Sequence, residues 1–160
     1  MIKIFELDTQ SPKSYADGVE RLYELAGWSP SGESSAISRL SRSAEAISSI
    51  LSTSVSGESS ESAARAIKNS YCAFGAFDGQ KLVGFFRALS DGVSDAYLLD
   101  LFVDPEYRGR GIGGELAARI IAKLKGDGIE WITAISTPEA KNLYLRIGKR
   151  MKAHVPIRFL

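Results

Sequence analysis

The stretch Asp104-Pro105-Glu106-Tyr107-Arg108-Gly109-Arg110-Gly111-Ile112-Gly113-Gly114 constrains this chain more than any other. An apolar run from Tyr97 to Val103 precedes it and a helically spaced segment from Glu115 to Leu124 follows, so the pattern predicts strand, glycine-rich turn, helix. Backbone N–H groups at such a turn, with the unpaired donors of the first helical turn, can converge on a phosphate or pyrophosphate. Gly113 and Gly114 each cost a helix about 1 kcal/mol relative to alanine. Two of them at a helix start imply that backbone must approach something closely. The alternative is a turn that needs positive φ and binds nothing.

Other phosphate sites are excluded by what is missing. Gly109, Gly111 and Gly114 fit G-x-G-x-x-G, but a dinucleotide fold wants an acidic residue at the end of the next strand and several further strand-helix units. The next apolar run, Trp131 to Ser136, carries no carboxylate at its end. A Walker loop needs Gly-Lys-Ser or Gly-Lys-Thr, and a kinase needs His-Arg-Asp and Asp-Phe-Gly; neither set is present.

Arg108-x-x-Gly111-x-Gly113, after a strand ending in Leu101-Phe102-Val103-Asp104-Pro105-Glu106-Tyr107, resembles the acetyl-CoA signature of the GNAT superfamily of N-acetyltransferases. The resemblance implies acetyl-CoA as co-substrate. It implies that amides of Arg108, Gly109, Arg110, Gly111, Ile112, Gly113 and Gly114 hold the pyrophosphate, while Leu101, Phe102 and Val103 offer backbone to the pantetheine arm. A second segment, Ala140-x-x-Leu143-Tyr144-x-x-x-Gly148, is similar to the family's Ala-x-x-Phe-Tyr-x-x-x-Gly-Phe helix. By that resemblance the Tyr144 hydroxyl lies near the CoA sulfur, where a phenol can protonate the leaving thiolate. Thr137 stands where relatives often have Asn and is carried over as a pantetheine contact; Lys149 replaces the usual aromatic.

An attacking ammonium must first lose a proton. Asp100, Asp95 and Tyr97 lie on or beside the strand leading into the turn. Strict alternation puts Tyr97, Leu99, Leu101 and Val103 on one face and Asp100 with Phe102 on the other. Asp100 is the favoured base, because a carboxylate inside an apolar strand needs a task or a partner; a structural role for it and an ordered water as base remain the alternatives. Cys72, in an aromatic strand, reads as a small core residue. With His154 the only histidine, a Ser-His-Asp triad or a cysteine nucleophile has little to draw on.

A chain of 160 residues suits one domain, 1–160. Its net charge of +1 argues against a dedicated nucleic-acid binder. One cysteine and one histidine build neither an internal disulfide nor a four-ligand zinc site, so no metal is expected. No signal peptide or membrane-length apolar run is evident, so a cytoplasmic protein without a membrane partner is expected. Expected partners are a small-molecule amine acceptor and at most a second copy of the chain, as monomer or homodimer.

Periodicity predicts a first strand at Ile2–Leu7, a helix capped by Ser14 and ended by Gly27, and a second helix carrying Ile37, Leu40, Ala44, Ile47 and Leu51. A serine-rich loop, Ser52–Ser62, and a short helix, Glu61–Lys68, should follow. Three antiparallel strands within Tyr71–Val103 come next, then the turn and helix, a buried strand at Trp131–Ile135, a helix begun by Thr137 and Pro138 and ended by Gly148, and a last strand or hairpin between Arg150 and Leu160. The order β-α-α-β-β-β-α-β-α-β is that of the family. It implies an α/β (α+β) domain whose mixed, mostly antiparallel sheet is flanked by helices.

Overall fold

Strands β1 (Ile2–Glu6), β2 (Cys72–Asp78), β3 (Lys81–Ser90), β4 (Asp95–Val103) and β5 (Trp131–Ala134) form one sheet in the order β1-β2-β3-β4-β5 in a computed structural model that describes residues 1–28 and 56–157. The first four pair antiparallel and β5 runs parallel to β4, so the sheet is mixed and mostly antiparallel, as the sequence predicts. Helices α1 (Lys13–Ala26) and α2 (Ser56–Lys68) cover one face, and α3 (Ile112–Gly126) covers the other.

The two faces are separate cores. On the α3 side, Leu116, Ile120 and Leu124 bury against Val83, Phe86, Ala88 and Leu98. On the other side, Val19, Leu22, Ala63 and Ile67 bury against Leu82, Phe85 and Phe102. Burying each large apolar side chain stabilises the fold by about 1.5–3 kcal/mol, and here consecutive residues, Cys72–Ala76 of β2 and Leu82–Phe86 of β3, are buried, so both faces of these strands are covered. Tight links at Gly79 and Gly92, both at positive φ, close the hairpins.

Several expectations need correction. Ser14 does not cap α1: the helix begins at Lys13 behind Pro12, with no side-chain cap. The helix expected around Ile37–Leu51 lies outside the described residues. Part of the expected serine loop is helical, because α2 begins at Ser56; Ala63, Ala64 and Ile67 pack against α1, and tertiary burial outweighs serine's modest helix preference. Strand β5 is an edge rather than a buried strand, with Trp131 51% and Ile135 64% exposed. From Arg150 to Ile157 no strand forms; Pro156 lacks an N–H for a ladder, and the segment stays irregular, touching β5 where the His154 ring lies 5.9 Å from that of Trp131.

Candidate active site

Strand β4 delivers the chain to the turn through a fixed joint. Asp104 is buried, and its carboxylate takes the Arg21 guanidinium at 3.0 Å, the Lys81 ammonium at 3.4 Å and the Glu106 amide at 3.1 Å. Burial opposes its charge, but these donors outweigh burial and hold the Asp104 carboxyl below its ordinary range. A single 3₁₀ turn, Pro105–Tyr107, follows. Arg108 then folds back to donate from Nε to the Val103 carbonyl at 3.0 Å, its guanidinium 5.1 Å from the Phe102 ring centre. Arg110 donates to the Glu106 carbonyl at 3.1 Å and lies 5.0 Å from the centre of the Tyr107 ring. Both arginines brace the turn while keeping their charge beside it.

The glycines divide by task. Gly109 and Gly111 adopt φ of 76° and 79°, a conformation that L side chains resist. Gly111 precedes α3, no side chain caps that helix, and its first backbone bond runs from the Glu115 amide to the Gly111 carbonyl. The amides of Ile112, Gly113 and Gly114 precede the first intrahelical bond, which is the arrangement that favours an anion. A Cβ at Gly109, Gly111 or Gly114 would meet open space, whereas one at Gly113 would lie 3.0 Å from Leu143 Cδ1. Gly113 therefore serves close packing against the next helix.

That next helix is shorter than periodicity predicts. Only Lys141–Tyr144 (α4) is α-helical; bonds from Leu143 to Ala140, Arg146 to Leu143 and Ile147 to Tyr144 tighten its ends into 3₁₀ turns. Thr137 does act at the start, its hydroxyl accepting from the Ala140 amide at 3.4 Å and its carbonyl from Lys141 at 3.1 Å. Tyr144 packs into the α3-side core with its ring 6.4 Å from that of Phe86. Burial, and then the charge of Tyr97, push its phenol up to about 12. Leu101, Val103, Ile112, Leu143 and Tyr144 all belong to this one core, so strand end, turn and α4 are held together.

Between β4 and β5 the ladder is incomplete. Its last pair is Leu98 with Ala134, and beyond it Leu99–Val103 is paired only with β3. A strand edge with unpaired amides and carbonyls thus runs into the glycine turn.

Comparison with known proteins gives this arrangement its context. Residues 44–148 match the acetyltransferase (GNAT) family. The chain belongs to that family. It is 36% identical over 87 residues to an uncharacterised N-acetyltransferase, ycf52, of Gracilaria tenuistipitata var. liui, covering 52% of this chain and 48% of that one. It is 35% identical over 69 residues to a chloroplastic serotonin N-acetyltransferase 2 of Oryza sativa subsp. japonica, covering 43% of this chain and 34% of the relative. The match thus spans about half or less of these curated relatives. A GNAT family acetyltransferase of Streptococcus pneumoniae shares the fold over the whole chain, with a TM-score of 0.69 at 20% identity and 98% of its own length covered.

Within this GNAT chain the three sequence candidates for a base separate. Asp95 sits exposed in the β3–β4 hairpin and accepts from the Ser94 hydroxyl at 2.5 Å. Tyr97 is on the partly exposed edge, 36% accessible. Asp100 is drawn toward the α1 side, where its Oδ2 accepts from Tyr23 at 2.8 Å and from Arg87 Nε at 2.5 Å. Sequence reasoning gave no functional role to Tyr23, Arg87 or Arg21, and placed Asp104 only as the start of the strand-to-turn stretch. The available signal was Arg87 itself, a charge in the middle of an apolar strand, which needs a partner as much as Asp100 does. Among the described residues no cluster of three or more metal-ligating side chains occurs, and no helix is long and apolar enough to cross a membrane.

Proposed function

We propose that this chain is an acetyl-CoA-dependent N-acetyltransferase that moves an acetyl group directly onto a primary amine in a ternary complex, with residues 1–160 acting as one domain. The carrying observation is the meeting of two unpaired backbone surfaces, the first-turn amides of α3 and the free edge of β4, beside Tyr144. Open space around Gly109, Gly111 and Gly114 fits a pyrophosphate at those amides. Leu101–Val103 would pair with the pantetheine amides as a further strand would. Thr137 remains assigned to the same arm by resemblance.

Acetyl-CoA supplies the thioester whose carbonyl the neutral amine attacks; the new C–N bond forms, the C–S bond breaks, and the amine proton goes to solvent. Tyr144 faces the departing sulfur in this reading. Because its phenol is pushed up to about 12, while an ordinary thiol ionises near about 8.5, full proton transfer from Tyr144 to the thiolate runs uphill. Its contribution is a hydrogen bond to the developing charge, and the thiolate takes its proton from water. Asp100 as base would have to take up a proton while its Oδ2 is held by Arg87 and Tyr23. An ordered water suits the first deprotonation better.

A small-molecule acceptor is the preferred class; a relative named for serotonin, itself a small amine, supports it. The test is thiol release from acetyl-CoA across a broad amine panel, paired with calorimetric binding of acetyl-CoA. Release with at least one amine is the expected result. Tight binding without release for any amine or peptide would instead make the chain a CoA-binding module.

A further inference from the structure

Asp100 is the only non-glycine residue with positive φ among the described residues, at 61°. It marks a bulge. Phe85 pairs with Phe102 and Arg87 with Leu99, so Phe86 alone faces both Asp100 and Leu101. The extra residue reverses the parity of β4. Before it, Ala96 and Leu98 face the α3-side core; after it, Leu101 and Val103 do so, and Phe102 turns to the α1 side. The face assignment expected from strict alternation therefore fails at this point. The parallel ladder with β5 also stops at Leu98, two residues before the kink.

What holds the kink is a partly buried polar cluster. Arg87 and Asp100 side chains are 13% and 25% exposed, and Tyr23 is 6% exposed. Arg87 comes from the neighbouring strand and Tyr23 from α1, so the two donors pull the Asp100 carboxylate toward the α1 side from two independent elements. Burial, followed by the Asp100 charge, raises the Tyr23 phenol from its ordinary value and keeps it a donor. Moving Asp100 into service as a proton acceptor would strand the Arg87 guanidinium.

We propose that Tyr23 and Arg87 are positioning residues that act through Asp100: their two hydrogen bonds hold the left-handed kink in β4 and so the placement of the Leu101–Val103 edge assigned above to the pantetheine arm. The proposal rests on the acetyl-CoA reading above. Asp100 then has no direct part in proton transfer, and glycine, which adopts positive φ without a partner, should replace it once Arg87 is made neutral.

The test uses Asp100→Ala, Asp100→Gly and Arg87→Met, and the double change Arg87→Met with Asp100→Gly, with acetyl-CoA affinity by calorimetry, KM and kcat read separately, and amide exchange of residues 99–103 without ligand. Asp100→Ala and Arg87→Met should weaken acetyl-CoA binding by about tenfold or more, the scale on which misplaced contacts act, and speed exchange at residues 99–103. Asp100→Gly relieves the strain but leaves Arg87 unpaired, so it should fall between the parent and Asp100→Ala, whereas the double change Arg87→Met with Asp100→Gly removes both the strain and the unpaired charge and should keep affinity and kcat within about threefold. If the double variant Arg87→Met with Asp100→Gly binds acetyl-CoA normally but loses turnover, Asp100 acts on a proton or the acceptor and the proposal is overturned. Exchange and affinity unchanged in Asp100→Ala would overturn it as well. A parent chain that does not bind acetyl-CoA would defeat the co-substrate reading instead, and the exchange data on the same variants would then decide the positioning role by themselves.

Discussion

Gly113 and Leu143 are in contact across the site: a Cβ added at Gly113 would lie 3.0 Å from Leu143 Cδ1. The contact joins the first turn of α3 to the residue before Tyr144, so the first-turn amides and the phenol are positioned by one another. Gly113→Ala should push Leu143 and carry Tyr144 with it. The expected result is a loss of kcat larger than the loss of acetyl-CoA affinity. Equal losses in both would assign Gly113 to the phosphate rather than to this packing.

Gly114 is the complementary case. Its Cβ would meet open space and the residue is helical, so Gly114→Ala should raise stability by up to about 1 kcal/mol. If the pyrophosphate occupies that space, acetyl-CoA affinity falls in the same variant. Thermal unfolding with and without acetyl-CoA reads both effects at once: a higher midpoint alone and a smaller ligand-induced shift.

At Gly111 the φ of 79° rather than lack of space limits substitution, and a β-branched residue there would strain the turn itself. Asparagine tolerates that conformation. Gly111→Asn should keep the fold, as read by circular dichroism, and weaken acetyl-CoA binding. Unchanged affinity in the folded variant would remove the turn from the pyrophosphate site.

Tyr144→Phe deletes one hydrogen-bond donor and little volume. Loss of a donor to developing charge costs about 10²- to 10³-fold in turnover, with acetyl-CoA affinity nearly unchanged; single-turnover measurement isolates the step. With Tyr144 pushed up to about 12, its protonated form persists far above neutrality. The rate should therefore rise as the acceptor amine loses its proton and then level, with no alkaline fall from Tyr144 below about pH 11. A fall centred near pH 9 to 10 would mean that the phenol is not held up by burial.

The Asp104 joint gives a stability prediction with a definite sign. Its folded carboxyl is depressed below the usual range, so the stabilisation is present above the unfolded value, about 3.9, and is lost as pH falls through the folded one. Asp104→Ala leaves Arg21, Lys81 and the Glu106 amide without their acceptor and should cost about 2 kcal/mol. Denaturant unfolding should show that difference at pH 7 and a smaller one near pH 3.

Cys72 should be inert. It is buried in the β2 core, and burial pushes its thiol up to about 12. Iodoacetamide at pH 8 should label it only after denaturation, and labelling of the native chain would contradict the core role.

The sequence by itself determined the strand, glycine turn and helix around Asp104–Gly114, the antiparallel run of β2 to β4 and the place of Cys72 in the core. Each of these rests on local rules: glycine spacing, period-two alternation and the absence of partners for a nucleophile. It also singled out Tyr144 by resemblance. Only the tertiary structure decided where alternation breaks. The kink at Asp100 depends on Arg87 and Tyr23, which lie 13 and 77 residues away along the chain, and no local window contains all three. The same holds for Gly113, whose reason is Leu143, and for β5, whose exposure follows from its place at the sheet edge rather than from its apolar composition. Local periodicity reports which residues seek burial; which partner satisfies a buried charge is settled only when distant elements meet.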